Sequence, residues 1–318
     1  MISYAVLFLS CLYGVSGQWS YNDETQWAGK CNIGQQQSPI NIMTRDTVLD
    51  VSGTHIQGPL VFRGYSNVKV SAFNNGHTLR WDNVDGNPPP VVEGGPLQGN
   101  YSFMQFHLHW LSEHAIDGIK YPLEIHMVHI KTGLTVEEAL ARPDGLAVLG
   151  IMAQVVSGIG SSYALDQIIP VVPEILDQSQ PHTDPSHIDL TRLFSPEPQS
   201  YFTYAGSLTT PNCEEAVTWI VMDKPIIMSD EQFKVFSEVN VGTITNYRRL
   251  QPVNRIVYRS MASCAMTLAP SLLSALTAIF HCISGKISSS IAKGICYVIN
   301  VKRKFFGNAV KECSKTLL

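Results

Sequence analysis

From about residue 18 to residue 260 the chain alternates apolar and polar positions in short runs. VKVSAF, TLRWD, SFMQFHLHW, LEIHMVHI and AVTWIVM are the clearest of them. An extended chain sends successive side chains to opposite faces, so each run predicts a strand with one face in a core. Turn clusters (NNG, DGNPPP, EGGP, SPEPQ) separate the runs. The period becomes helical in three places: VEEALA near 136–141, LDQIIPVVPEIL near 165–176 and SDEQFKVFSEV near 229–239. In the last, Ser229 with Gln232 three residues later predicts a capped helix start. The whole pattern predicts a mainly β (α+β) single domain. Its frame is a large, mostly antiparallel twisted central sheet, with short peripheral helices.

Both ends depart from this pattern. Residues 1–17, MISYAVLFLSCLYGVSG, form an apolar run ending in small residues, with Val15 and Gly17 placed for cleavage after Gly17. That reads as a secretory signal peptide, although its start carries no Lys or Arg. Residues 261–285 contain no charged side chain. Their apolar core approaches the ~20 residues a spanning helix needs, so a membrane anchor and a packed or disordered extension both stay open. Residues 286–318 form a basic tail that fits the cytoplasmic side of such an anchor. Residues 18–260 are then left as the single folded domain.

Composition sharpens the picture in two respects. With 45% hydrophobic and 15% charged residues, the 318-residue chain is globular rather than disordered. The net charge of −4 divides into an acidic body and a basic tail holding seven Lys/Arg against one Glu. A body without a basic patch offers no footprint for nucleic acid. Of seven cysteines, only Cys31 and Cys213 lie in the body, which suggests one disulfide in an exported chain. The sequon Asn100-Tyr101-Ser102 marks Asn100 as a candidate glycosylation site.

The candidate chemistry rests on histidines. His107 and His109 in FHLHW stand two apart in a strand, so both imidazoles share a face and can approach one ion. His126 in EIHMVH is the third candidate, on a second strand. Three His with an open fourth position is the arrangement of catalytic zinc. Glu124 precedes His126 by two and Gln105 precedes His107 by two, which places both where they could hold the far ring nitrogens.

With these residues in view, the sequence resembles the alpha-carbonic anhydrases over roughly residues 19–259. The resemblance is carried by QSPINI at 37–42, NNGH at 74–77, GGPL at 94–97, QFHLHW at 105–110, SEH at 112–114 and PLEIHMVH at 122–129. It continues through DGLAVLG at 144–150, GSLTTPNC at 206–213, VTWIV at 217–221 and NYRRLQPVNR at 246–255. The resemblance implies a zinc enzyme that hydrates carbon dioxide reversibly to bicarbonate and a proton, by attack of zinc-bound hydroxide. The His₃ zinc site is that family's own.

Roles carry over residue by residue. His107, His109 and His126 look like the ligands of Zn2+, with Gln105 and Glu124 behind them. Thr209 looks like the hydroxyl that accepts from the hydroxide, and Glu113 like the acceptor of the Thr209 proton. His77 looks like the proton shuttle, for which an ordinary pKa near ~6.5 is apt. Val128, Val148, Leu208 and Trp219 look like the carbon dioxide wall. Tyr21, Asn75 and Thr210 look like parts of the water path, and Cys31 with Cys213 matches the disulfide of secreted members. His114 and His129 read as structural.

Two departures stand out: the Leu111-Ser112 link is short, and Arg80 replaces the smaller polar residue of many members on the cavity wall. A silent carbonic-anhydrase-like binding module is the alternative class, and the presence of all three histidines argues against it. The expected partners are carbon dioxide and bicarbonate. The expected location is extracellular, secreted or tethered to the plasma membrane through 261–285.

Overall fold

The computed structural model describes residues 19–85, 88–194 and 200–260. The segments 1–17, 261–285 and 286–318, read above as signal, candidate anchor and tail, lie outside the described residues. Among the described residues, no helix is long and apolar enough to cross a membrane.

In chain order the strands are β1 (Asn41–Ile42), β2 (Val48–Leu49), β3 (Gln57–Arg63), β4 (Val68–Asn74), β5 (Leu79–Asn83), β6 (Val91–Gly95), β7 (Tyr101–His109) and β8 (Ala115–Ile116). They continue with β9 (Leu123–Lys131), β10 (Leu146–Val155), β11 (Ser186–Ile188), β12 (Tyr201–Gly206), β13 (Val217–Met222), β14 (Ile226–Met228) and β15 (Tyr258–Arg259). Among the described residues, thirteen strands form one sheet whose main path runs β11-β4-β5-β7-β9-β10-β13-β12-β15-β2. The centre, β5-β7-β9-β10, is antiparallel. The sheet as a whole is mixed, because β10 runs parallel to β13 and β14, and β2 parallel to β15.

Alternation along the central strands produces two apolar layers. From β7, Phe106 and Leu108 enter one core; from β9, Leu123, Ile125 and Met127 join them. β10 adds Ala147, Leu149 and Ile151 to the same side. The residues between these face the other way. Val128, Val148 and Trp219 belong to a second cluster with Ile40, Ile42 and Val217. His107 and His109 of β7 and His126 of β9 share that second face, whereas His129 of β9 turns to the first, against Tyr65 and Phe103. Each large apolar side chain buried in either layer contributes roughly 1.5–3 kcal/mol, so the sheet under the site is a stiff platform.

The helical expectations fare differently. VEEALA forms α1 (Val136–Leu140), opened by a capping box between Thr135 and Glu138. The segment after Ser229 forms α2 (Asp230–Lys234), with Ser229 and Gln232 in a capping box, and continues as a 3-10 turn over Val235–Glu238. The expectation of a helix near 165–176 needs correction. Turns lead instead into a 3-10 helix over Ile169–Glu174. Pro170 and Pro173 supply no backbone N–H, and their rings clash with the preceding turn of an α-helix.

Candidate metal centre and its cavity

The site is built on β7, β9 and the loops that close over them. Register places His107 of β7 opposite His126 of β9. The rings of His107, His109 and His126 stand 4.6 to 5.2 Å apart, centroid to centroid. One nitrogen of each lies within 4.8 Å of the others, as a shared metal ion requires.

Each ring has its other nitrogen occupied. His107 Nδ1 donates to Gln105 Oε1 at 2.9 Å. His109 Nδ1 donates to the Asn246 carbonyl at 2.5 Å. His126 Nε2 donates to Glu124 Oε1 at 2.8 Å. All three acceptors are oxygens without a hydrogen, so each pairing assigns the tautomer. The lone pairs of His107 Nε2, His109 Nε2 and His126 Nδ1 are left to face a common point. His109 Nε2 is buried with no hydrogen-bond partner. An unpaired buried imidazole nitrogen is costly, and a cation at that point would satisfy it. Burial, followed by the neighbouring imidazoles, pushes the His107 pKa well below its usual value, and burial lowers that of His109. Both therefore favour the neutral state that metal ligation needs. By the chemistry of its donors and by its orphaned nitrogen, the site fits zinc.

Behind these rings lies a buried brace. Burial alone would raise the Glu124 pKa, but His114 and His126 hold it well below the carboxylate range. His114 donates to Glu124 through both its backbone N–H and Nδ1, each at 2.8 Å. His114 Nε2 meets the Tyr204 hydroxyl at 2.6 Å. His114, Glu124 and His126 also cluster closely enough for a metal. Their hydrogen bonds to one another already satisfy them, so this second group positions His126 instead.

Glu113 is fully buried. Its Oε1 accepts from the backbone N–H of Arg248 at 2.7 Å. Its Oε2 has no hydrogen-bond partner and lies 3.7 Å from His109 Nε2 and 3.9 Å from His126 Nδ1. The Thr209 hydroxyl is not paired with it. Arg248 is itself buried and ties Glu113 to the N-terminal segment, donating to the carbonyls of Cys31 and Ser38 and to Gln37 Oε1.

A cavity of about 600 Å³ opens above the histidines. Val128, Val148, Leu208 and Trp219 line its apolar side, and Asn75, His77, Thr209 and Thr210 contribute polar groups. Tyr21 lies at its N-terminal edge, where burial raises the phenol pKa well above the usual range. The Asn75 side chain accepts from the backbone N–H groups of His77 and Thr78 and so fixes the turn that carries His77. Burial lowers the His77 pKa, and its Nδ1 is buried without a partner. Cys31 and Cys213 form a disulfide that packs with Tyr21 and Trp27 at one end of the cavity. Asn100 is exposed.

Sequence reasoning left out three contributors: the Asn246 carbonyl, the Arg248 backbone N–H and Trp19 beside His77. The first two lie in NYRRLQPVNR, so the motif marked the segment without marking the atoms.

Comparisons with known proteins agree with this geometry. Residues 18–261 match the family model of the eukaryotic-type carbonic anhydrases. The chain is similar to carbonic anhydrase 4 of Rattus norvegicus, 36% identical over 267 residues, covering 77% of this chain and 82% of that one. It is 35% identical to carbonic anhydrase 3 of Mus musculus over 261 residues, covering 77% and 97%. Similarity to carbonic anhydrase 7 of Homo sapiens is 34% over 243 residues, covering 71% and 89%.

Proposed function

The chain belongs to the eukaryotic-type carbonic anhydrase family, zinc enzymes that hydrate carbon dioxide, and from that premise we propose that His107, His109 and His126 hold zinc and that the cavity above them is where hydration occurs. The observation that carries this reading is the convergence of three imidazole lone pairs, each ring fixed by a hydrogen bond at its other nitrogen. When bound, zinc supplies an attacking oxygen at neutral pH, since in carbonic anhydrases it lowers the pKa of water from about 15.7 to about 7.

The chain's own groups do the rest. Val128, Val148, Leu208 and Trp219 offer an apolar wall to a substrate that has no hydrogen bonds to lose. Glu113 Oε2, buried and unpaired, is an acceptor for the Thr209 hydroxyl hydrogen. With that hydrogen taken, the Thr209 oxygen can only accept, so it selects the orientation of a donor in the cavity. His77 carries the released proton outward, over water held by Tyr21, Asn75 and Thr210. Gln105 and Glu124 keep the ligand rings in their tautomers.

Residues 18–260 constitute the catalytic domain in this reading. The disulfide and the exposed Asn100 sequon support an oxidising, extracytoplasmic setting for it. An N-terminal signal and a C-terminal anchor would supply the secretion and the tether.

Stopped-flow carbon dioxide hydration tests the proposal, with zinc content measured on the same sample. About one zinc per chain with fast hydration, both lost in His109→Ala, is the expected result. A folded protein with neither zinc nor activity would overturn it.

A further inference from the structure

Arg80 is a cavity-lining residue that the hydration chemistry does not use. It sits on β5 directly opposite His107 of β7, and Asp82 sits opposite Gln105. An arginine beside a cation-binding histidine is electrostatically awkward unless its charge is balanced. Asp82 provides the balance: it is buried and accepts from Arg80 Nε at 2.5 Å. The Phe73 ring supports the guanidinium from 5.7 Å. Phe73 is in turn stacked on His182, centroids 4.0 Å apart.

These contacts hold the guanidinium by its Nε edge and its face. The two Nη groups, among the described residues, have no hydrogen-bond partner. They form a planar fork of donors on a side chain that is still 16% exposed and borders the cavity. A rigid guanidinium fork matches the two oxygens of a carboxylate, and little side-chain entropy remains to be lost on binding.

We propose that Arg80 makes the side wall of the cavity a second subsite, one that holds planar carboxylates, from hydrogencarbonate to small organic acids, in the fork of its Nη groups. Asp82 and Phe73 are its positioning residues. The subsite goes beyond the hydration reading and does not need it, because Arg80 is neither a zinc-facing group nor part of the proton path. It lies beside the reaction centre, so an anion held there shares the cavity with the substrate.

Sodium benzoate, with neutral benzamide as its isostere, separates this idea from simple apolar binding. Isothermal titration of the full zinc-loaded chain should show benzoate binding more tightly than benzamide. Arg80→Gln should weaken benzoate about tenfold or more and leave benzamide unchanged. Arg80→Lys, which keeps the charge but loses the fork, should fall between. Since Arg80→Gln strands the Asp82 carboxylate, the double variant Arg80→Gln/Asp82→Asn repeats the test with charge rebalanced. Near-UV circular dichroism checks that each variant is folded.

Removing zinc with a chelator is the final arm. Benzoate binding that survives and still depends on Arg80 supports the subsite, even in a preparation that never held zinc. Benzoate binding that is indifferent to Arg80, or that vanishes with zinc, overturns the subsite without touching the hydration proposal.

Discussion

Trp19 lies flat on His77, with ring centroids 3.7 Å apart and planes 12° apart. Trp19 also makes edge contacts with Tyr21 and Trp27, and that aromatic group packs on the Cys31–Cys213 disulfide. The ring read as a proton carrier is thus positioned by the N-terminal segment, which the disulfide ties to the loop carrying Thr209 and Thr210.

Trp19→Ala should therefore raise the His77 pKa. Burial lowers it in the intact protein. Uncovering the ring removes part of that cause and returns the value toward about 6.5. Proton NMR titration of the imidazole reads the shift directly, and an unchanged midpoint would show that Trp19 is not what buries it.

His77→Ala should slow turnover about tenfold or more at low buffer concentration while sparing zinc content. Adding imidazole buffer should restore most of the rate. Equal rates with and without the ring, at low buffer, would remove His77 from the proton path.

Glu124→Ala should weaken zinc binding by roughly 10–100-fold, because His126 loses the acceptor that sets its tautomer and His114 loses its partner. Competition against a chromogenic chelator measures this. Gln105→Leu should produce a loss of the same kind at His107. Zinc affinity unaltered in both would mean the rings are held by packing alone.

His129 makes stability fall in acid. Its ring is buried and bonded to the Tyr65 hydroxyl at 2.7 Å, and burial pushes its pKa down to about 4. A histidine depressed in the folded state binds fewer protons there than when unfolded, so stability rises with pH. The contribution is fully present above about 6.5 and is lost progressively as pH falls toward 4, roughly 3 kcal/mol in all. Denaturant unfolding of the zinc-free protein across that window should show a shallower slope for His129→Gln. Parallel slopes for the two proteins would contradict this account.

Replacing both cysteines, Cys31→Ser with Cys213→Ser, should cost about 3–5 kcal/mol, because the bond closes a loop of 182 residues. The His77 titration should shift in the same variant as the Trp19 group loosens. Stability lost with no change at His77 would uncouple the disulfide from the shuttle.

Much of this was legible in the chain. Strand alternation placed His107 with His109, and Glu124 with His126, on common faces, because side-chain direction in a strand is a local property of period two. The Ser229–Gln232 cap was readable for the same reason, its partners being three residues apart. The segment 165–176 misled because its apolar spacing is helical, while the two prolines decide the backbone.

What the sequence by itself determined is therefore the donor set, the strands that carry it and the residues standing two positions away. Tertiary structure alone decided which far groups complete His109, Glu113 and His114. The Asn246 carbonyl reaches His109 across 137 positions, the Arg248 N–H reaches Glu113 across 135, and Tyr204 reaches His114 across 90. Such pairings follow from sheet register and from where the closing loops settle against two packed layers, and no short window of sequence contains both partners. Arg80 belongs to the same class: its position on the wall was readable, but only the fold shows Asp82 and Phe73 holding the guanidinium by its Nε edge and its face.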